Sequence, residues 1–326
     1  MIEPKKGKSL LKLPKDYTVI DLETTGLSPG YDRIIEFAAV KCRDDKIVDK
    51  FSSLAKTEYV SKLSNFIEEL TGITQEMLDS APPIKEVLGK FVEFVGDDIV
   101  IAHNANFDIN FICRNCEHIL ERNFENNFVD TLRIARRACP KLKSHRLQIL
   151  VEHFGIEQDS AHRALSDCEV TLKCYKKFKN ILPEDFEQLV KKRSHKKTTA
   201  NKETANKAAG LGDLLKQNWI DLERISEADN PLKNKVCVFT GKLEKMTRAQ
   251  ASELTELMGG KAAGSVTKNT NILILGNNDY CKTIKDGKSR KHKAAEELIL
   301  NGADLQIMPE DVFYSMIEDC QKQQDE

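Results

Sequence analysis

Asp21 and Glu23 stand one residue apart in the run Asp21-Leu22-Glu23-Thr24-Thr25-Gly26. They close an apolar stretch that reads as a strand, and alternation along a strand puts both carboxylates on one face with Leu22 on the other. Two like charges this close repel unless something neutralises them. Hard Mg²⁺ or Mn²⁺ is the economical neutraliser, because both favour carboxylate oxygen. Taken alone, the pair is also what a solvated strand end looks like. Asp108 lies in His103-Asn104-Ala105-Asn106-Phe107-Asp108, directly after the apolar run Ile99 to Ala102. Strand, polar turn and helix in that order deliver it to the mouth of a sheet, where α/β proteins bind ligands. Its plainer reading is an acid favoured by the positive end of a helix dipole. His162 and Asp167 are five positions apart, which leaves roughly 140° between them on a regular helix. His162 is therefore expected at or just before a helix start, in a looser turn, with Asp167 inside the first two turns.

The elements that must position these groups follow an α/β pattern. Tyr17 to Asp21, Ile34 to Cys42 and Ile47 to Ser53 read as strands of a meander that opens a mixed sheet. Ile84 to Phe94 carries Val87, Leu88 and Phe91 at helical spacing, ahead of the strand Ile99 to Ala102. Helices are expected over Asn106 to Leu120, Thr131 to Ala138, Arg146 to Phe154 and Ala161 to Phe178. At 326 residues the chain is long enough for two domains. Its 50 basic and 51 acidic side chains nearly cancel, so a uniformly basic nucleic-acid coat is excluded and any polyanion must be met locally. No apolar run reaches the ~18 residues of a membrane span, and Met1 to Lys15 lacks the apolar core of a signal peptide. A cytoplasmic location is expected. The nine cysteines suit a reducing compartment. Cys113-x-x-Cys116 has the spacing of half a zinc site, but no second such pair completes it, and both are expected to pack as small hydrophobes.

Asp-x-Glu-Thr-Thr-Gly, His-Asn-x-x-Phe-Asp and His-x-x-x-x-Asp, in this order, closely resemble the DEDDh family of 3′–5′ exonucleases, typified by the epsilon proofreading subunit of bacterial DNA polymerase III. The resemblance covers about Tyr17 to Leu182 and implies a ribonuclease-H-like α/β sheet. An in-line phosphodiester displacement needs a neutralised phosphate, a deprotonated water and a stabilised leaving oxygen; two cations supply the first and third. The resemblance implies that Asp21 bridges both metals, that Glu23 and Asp167 complete the tighter site, and that Asp108 serves the second. His162 is the natural general base, and histidine rather than tyrosine there marks the subclass. The family further places Thr24 and Leu27 against the terminal nucleotide, with His103, Asn104 and Phe107 near the binding groove. The implied substrate is the single-stranded 3′ end of DNA, with RNA trimming as the alternative. An adaptor with a vestigial nuclease is a third reading, which the presence of all four carboxylates opposes. No polymerase domain is present, so proofreading would need an external polymerase or other replication protein.

From Lys191 to Lys207 seven Lys or Arg face one Glu, which reads as a solvated linker that could also touch phosphates. Leu211 to Ile225 carries an apolar helical stripe near Trp219. A second unit then begins, with strands at Val236 to Thr240, Lys261 to Val266, Ile272 to Leu275 and Leu305 to Met308. Its helices start at Thr247, with a capping box to Gln250, and at about Arg290, and Pro309 is expected in a first helical turn. Val238-Phe239-Thr240-Gly241, Gly259-Gly260, Thr270-Asn271-Ile272-Leu273-Ile274, and Lys291 followed by Ala294 resemble a BRCT domain, a small parallel α/β fold. Phe313 stands where many such domains carry tryptophan. The resemblance implies a phosphate pocket at Thr240, Gly241 and Lys291, taking a DNA 5′-phosphate, with a protein partner as the alternative. In the plainer reading Thr240 ends a strand, Gly241 makes a turn and Lys291 is solvated. The expected domains are residues 1–183 (exonuclease), 184–230 (linker) and 231–320 (BRCT).

Overall fold

Ten buried or half-buried positions, Ile34–Arg43, mostly apolar but interrupted by Glu36 and Lys41 and ending in Arg43, make a strand that is covered on both faces, and it anchors a six-stranded sheet. The structure is a computed structural model describing residues 6–27, 29–30, 32–57, 63–158, 162–183, 186, 230–277 and 288–321. The chain divides into two compact units at Gln188/Leu189.

In the first unit the strands are β1 (Ser9–Leu10), β2 (Tyr17–Thr24), β3 (Ile34–Arg43), β4 (Lys46–Leu54), β5 (Val100–Ala102) and β6 (Phe128–Asp130). Their spatial order is β1-β6-β5-β2-β3-β4. β2, β3 and β4 form the antiparallel meander, whereas β5 pairs parallel with both β2 and β6, so the sheet is mixed. The helices are α1 (Asn65–Thr71), α2 (Gln75–Asp79), α3 (Ile84–Val95), α4 (Asn106–Leu120), α5 (Thr131–Ala138), α6 (Leu147–Phe154) and α7 (Ala164–Ile181). On one face Ile20, Leu22 and Phe37 pack with Phe91 of α3 and Ile109 and Phe111 of α4. α7 packs against β2 and β3, and Tyr175 meets Tyr17 edge-on at 5.1 Å.

The second unit has β7 (Val236–Thr240), α8 (Arg248–Leu257), β8 (Lys261–Ala263), β9 (Ile272–Leu275), α9 (Arg290–Leu300), β10 (Gln306–Pro309) and α10 (Glu310–Gln321). All its strand pairs are parallel, in the order β10-β9-β7-β8. The Thr247/Gln250 capping box forms as the sequence predicts. Phe313 is fully buried and meets Phe239 edge-on at 5.7 Å, so it fills the core position that a tryptophan would.

Several boundaries differ from the sequence-based expectation. β2 runs three residues past Asp21, carrying Glu23 inside the ladder opposite Glu36. β8 stops at Ala263 instead of Val266. Pro309 ends β10 instead of opening a helix; β10 is an edge strand, where a missing N–H costs no ladder bond. β1, β6, α1 and α2 have two to seven residues each, too few to show a period, and α1 and α2 are set by side-chain caps at Ser64 and Thr74. Cys113 and Cys116 are buried on α4, as read. The expected linker at Lys191 to Lys207 and helix at Leu211 to Ile225 lie outside the described residues.

Candidate active site

Asp21 and Glu23 project from the face of β2 that α7 covers, and Asp167 in the first turn of α7 meets them. One carboxylate oxygen from each of the three lies within 4.8 Å of the others. Asp108, in the first turn of α4, is 3% exposed and falls outside that tight group. Its carboxylate is held by its own backbone N–H and that of Leu22, which brings it beside β2.

Burial drives the electrostatics. Desolvation, followed by the charges of Asp167, Asp108, Glu23 and Glu36, holds the Asp21 carboxyl well above the usual carboxylate range. Glu23 is raised for the same first reason, then by Asp167 and Glu36. Asp108 is raised chiefly by burial. Asp167 is pushed up to about 6 by burial, moderated by hydrogen bonds from Gln158 and from the His162 backbone. The Gln158 Nε2–H donates to Asp167 Oδ1 at 2.7 Å. A cluster that resists carrying its own charge is one that a hard, oxygen-seeking divalent cation would complete, so the donor set fits such an ion.

His162 precedes α7, with φ at +58° in the left-handed region, so it does lie before the helix start as its spacing from Asp167 demands. α7 begins at Ala164 rather than Ala161. Although His162 is exposed, desolvation by the surrounding protein first, and the Arg146 guanidinium second, lower its imidazole below its ordinary value, which favours the neutral, proton-accepting form.

The remaining residues named from the sequence sit at the ends of β2 and β5 and in the turns and helix that follow them. Thr24 is buried at the end of β2, its hydroxyl donating to Gly26 O, and Leu27 follows in the turn. A Cβ at Gly26 would sit 2.4 Å from the Asp32 carboxylate, so a side chain there would have to displace that acid. His103 and Asn104 form the turn from β5 to α4. His103 Nδ1 is 3.0 Å from the Thr131 hydroxyl, and burial lowers its ring to about 3, so it is neutral. Asn104, at φ +64°, donates its backbone N–H to Asp130 Oδ1 at 2.9 Å. Phe107 stacks against Phe111 with centroids 5.0 Å apart.

Sequence reasoning missed Glu36, Arg163, Gln158 and Asp130. Glu36 is an acid inside an apolar strand, a conspicuous oddity, but its relevance depends on the register that sets it opposite Glu23. Asp130 caps α5 through Leu132 N–H and also holds the Asn104 turn.

In the second unit the Thr240 hydroxyl donates to Ser289 Oγ at 2.9 Å and the Lys291 ammonium donates to Phe239 O at 3.0 Å. Thr240, Gly241 and Lys291 thus converge at the end of β7. Gly241 has φ +79°, and a Cβ there would lie 2.4 Å from Gly276 O, so the glycine is required by the backbone itself.

The family model described as Exonuclease (RNase_T) matches residues 18–175, and that for the BRCA1 C Terminus (BRCT) domain matches residues 227–300. The DNA polymerase III PolC-type of Bacillus subtilis (strain 168) is 46% identical over 156 residues, which are 48% of this chain and 11% of that protein. That of Oceanobacillus iheyensis is 44% identical over 155 residues, again 48% and 11%. The chain therefore spans about a ninth of the length of these relatives. Among solved structures, the nuclease domain of 3'hExo, a DEDDh family member, bound to rAMP, aligns at a TM-score of 0.43 and 23% identity, covering 51% of this chain and 92% of that one.

Proposed function

From an RNase_T exonuclease domain joined to a C-terminal BRCT domain, we propose a metal-dependent 3′–5′ exonuclease that releases nucleoside 5′-monophosphates from single-stranded DNA ends in replication proofreading or repair. The observation that carries this reading is the convergence of Asp21, Glu23 and Asp167 within 4.8 Å, beside a histidine, in an exonuclease-family domain. Asp21, Glu23 and Asp167 would hold one divalent cation, and Asp21 with Asp108 a second; Mg²⁺ and Mn²⁺ both suit these donors. When bound, such a pair neutralises the scissile phosphate and the departing 3′ oxygen.

The chain's own groups do the rest. His162 is held in its neutral form and takes the proton of the attacking water. Thr24 and Leu27 seat the terminal nucleotide, while Asn104 and Phe107 border the groove and His103 ties that turn to α5. Residues 1–183 would act as the nuclease, 184–230 as a tether and 231–320 as a recruiting module for a DNA 5′-phosphate or a replication protein. A cytoplasmic polymerase is the natural partner, given the 46% identity over 156 residues to a DNA polymerase III PolC-type. Digestion of 5′-labelled and 3′-labelled single-stranded DNA and RNA with Mg²⁺ or Mn²⁺ tests the reading. Stepwise shortening of 5′-labelled DNA is expected, with mononucleotide released from the 3′ label. Endonucleolytic cuts, or preference for RNA, would overturn it.

A further inference from the structure

We propose that Glu36 and Arg163 are a positioning pair: the Glu36 carboxylate fixes the start of α7 and, through Arg163, the pose of His162. The inference rests on the exonuclease reading of the site and concerns residues outside the metal-binding set.

Glu36 is 2% exposed in β3 and lies directly opposite Glu23 in the ladder. A buried carboxylate facing another carboxylate is a poor choice for stability alone. Well-packed apolar residues commonly do as well or better than a buried ion pair. Both Glu36 oxygens are fully committed: Oε1 accepts from Arg163 Nη2 at 2.8 Å, and Oε2 accepts from Arg163 Nε at 3.2 Å and from the Ala164 backbone N–H at 3.1 Å. The two-pronged grip on Arg163 fixes direction as well as distance, which a lysine could not do.

The backbone explains why the grip is needed. Arg163 occupies the N-cap position of α7 and supplies no side-chain cap of its own, since a guanidinium has no acceptor. Glu36 reaches across from the sheet and caps Ala164, the first residue of the helix. Two residues before Ala164, His162 sits at φ +58°. A non-glycine residue stays in that region only where its surroundings over-determine it. His162 and Arg163 lead directly into α7, and Glu36 anchors the second of them through its guanidinium. The Arg163 cation also offsets the charge that Glu36 brings next to Glu23.

The test uses the full-length chain with Glu36→Gln, which keeps the size and removes the charge, alone and combined with His162→Ala. In the wild-type background Glu36→Gln should lower kcat on 5′-labelled single-stranded DNA about ten- to a hundredfold, as expected for a displaced general base, with KM within about twofold. In the His162→Ala background it should change kcat by less than about twofold, because the group it positions is already gone. Mn²⁺ affinity by calorimetry should stay within about threefold. Glu36→Asp should restore only part of kcat, because the shortened arm keeps the charge and loses reach. Hydrogen exchange over residues 162–168 should accelerate in Glu36→Gln while β2 and β3 stay protected. Wild-type kcat in Glu36→Gln, the same fold-loss in both backgrounds, or unchanged exchange over residues 162–168 would overturn the pair's role. A wild-type chain inactive on every 3′ end would instead overturn the exonuclease reading, and the exchange measurement would still judge the clamp.

Discussion

Without metal, the candidate active site should be a weak point of the fold, and Asp167→Asn should strengthen it. The Asp167 carboxyl is raised from 3.8 to about 6, with burial the leading cause. Roughly 2 units at 1.36 kcal/mol each put the cost of ionising it in the metal-free fold at about 3 kcal/mol as a ceiling, and sharing of the repulsion with Asp21 and Glu23 brings the expected gain nearer 1–2 kcal/mol. Asparagine keeps the size and leaves an acceptor for the Gln158 amide at 2.7 Å. At about 2–4 °C per kcal/mol for a domain of this size, Tm should rise by about 2–8 °C. The sign follows from the raised acid. The penalty is absent below pH 3.8, grows as pH climbs toward about 6 and is complete above it, so the variant's advantage should fade on acidification. Saturating Mn²⁺ reverses the ranking, since a ligand at a hundredfold its Kd adds about 2.7 kcal/mol to a wild-type site and little to one lacking a carboxylate. Scanning calorimetry with and without Mn²⁺ follows this, the BRCT transition serving as an internal control. A metal-free variant less stable than wild type, or one whose Tm responds fully to Mn²⁺, would refute the reasoning.

His162→Ala should keep Mn²⁺ affinity and lose about 10²–10⁴ in kcat. Because the imidazole is lowered, the wild-type rate should hold to below pH 6.5 before falling as the ring protonates, and that acid limb should change shape in the variant if kcat is followed from pH 5 to 8. Lys291→Glu should weaken binding to duplexes with a 5′-phosphate and leave cleavage of short single strands unchanged; competition between duplexes with and without that phosphate, showing no preference in wild type, would leave the BRCT domain to a protein partner.

Much of the architecture was legible because its elements are long and periodic. The meander, the helices over α3, α4 and α5, and the whole β-α-β-β-α-β-α order of the second unit follow from alternation, helical spacing and caps. What was not legible is short or set by contacts from elsewhere. β1 and β6 have two and three residues. The start of α7 is misread by three positions because the acceptor that caps it comes from Glu36, 128 residues away in sequence. Pro309 looks like a helix opener until the sheet order reveals it at an edge.

The site divides along the same line. Asp21 and Glu23 share a strand, so their convergence is local geometry, and the five-residue gap from His162 to Asp167 requires a break in the helix that the left-handed backbone at His162 provides. The supports of these groups are non-local. Gln158, Asp130 and Glu36 reach Asp167, Asn104 and Arg163 across 9, 26 and 127 residues, and none of them carries a recognisable spacing. There is a physical reason for this separation. Chemical groups must approach one another within one coordination sphere, which adjacent positions on a strand achieve cheaply. Holding five acids together against their mutual repulsion needs counter-groups from other elements, and those can come from any point of the chain that the fold returns to the same place. The Glu36–Arg163 pair is the sharpest case, since it adds an acid to an acidic cluster and is tolerable only because a cation and a helix terminus meet it there.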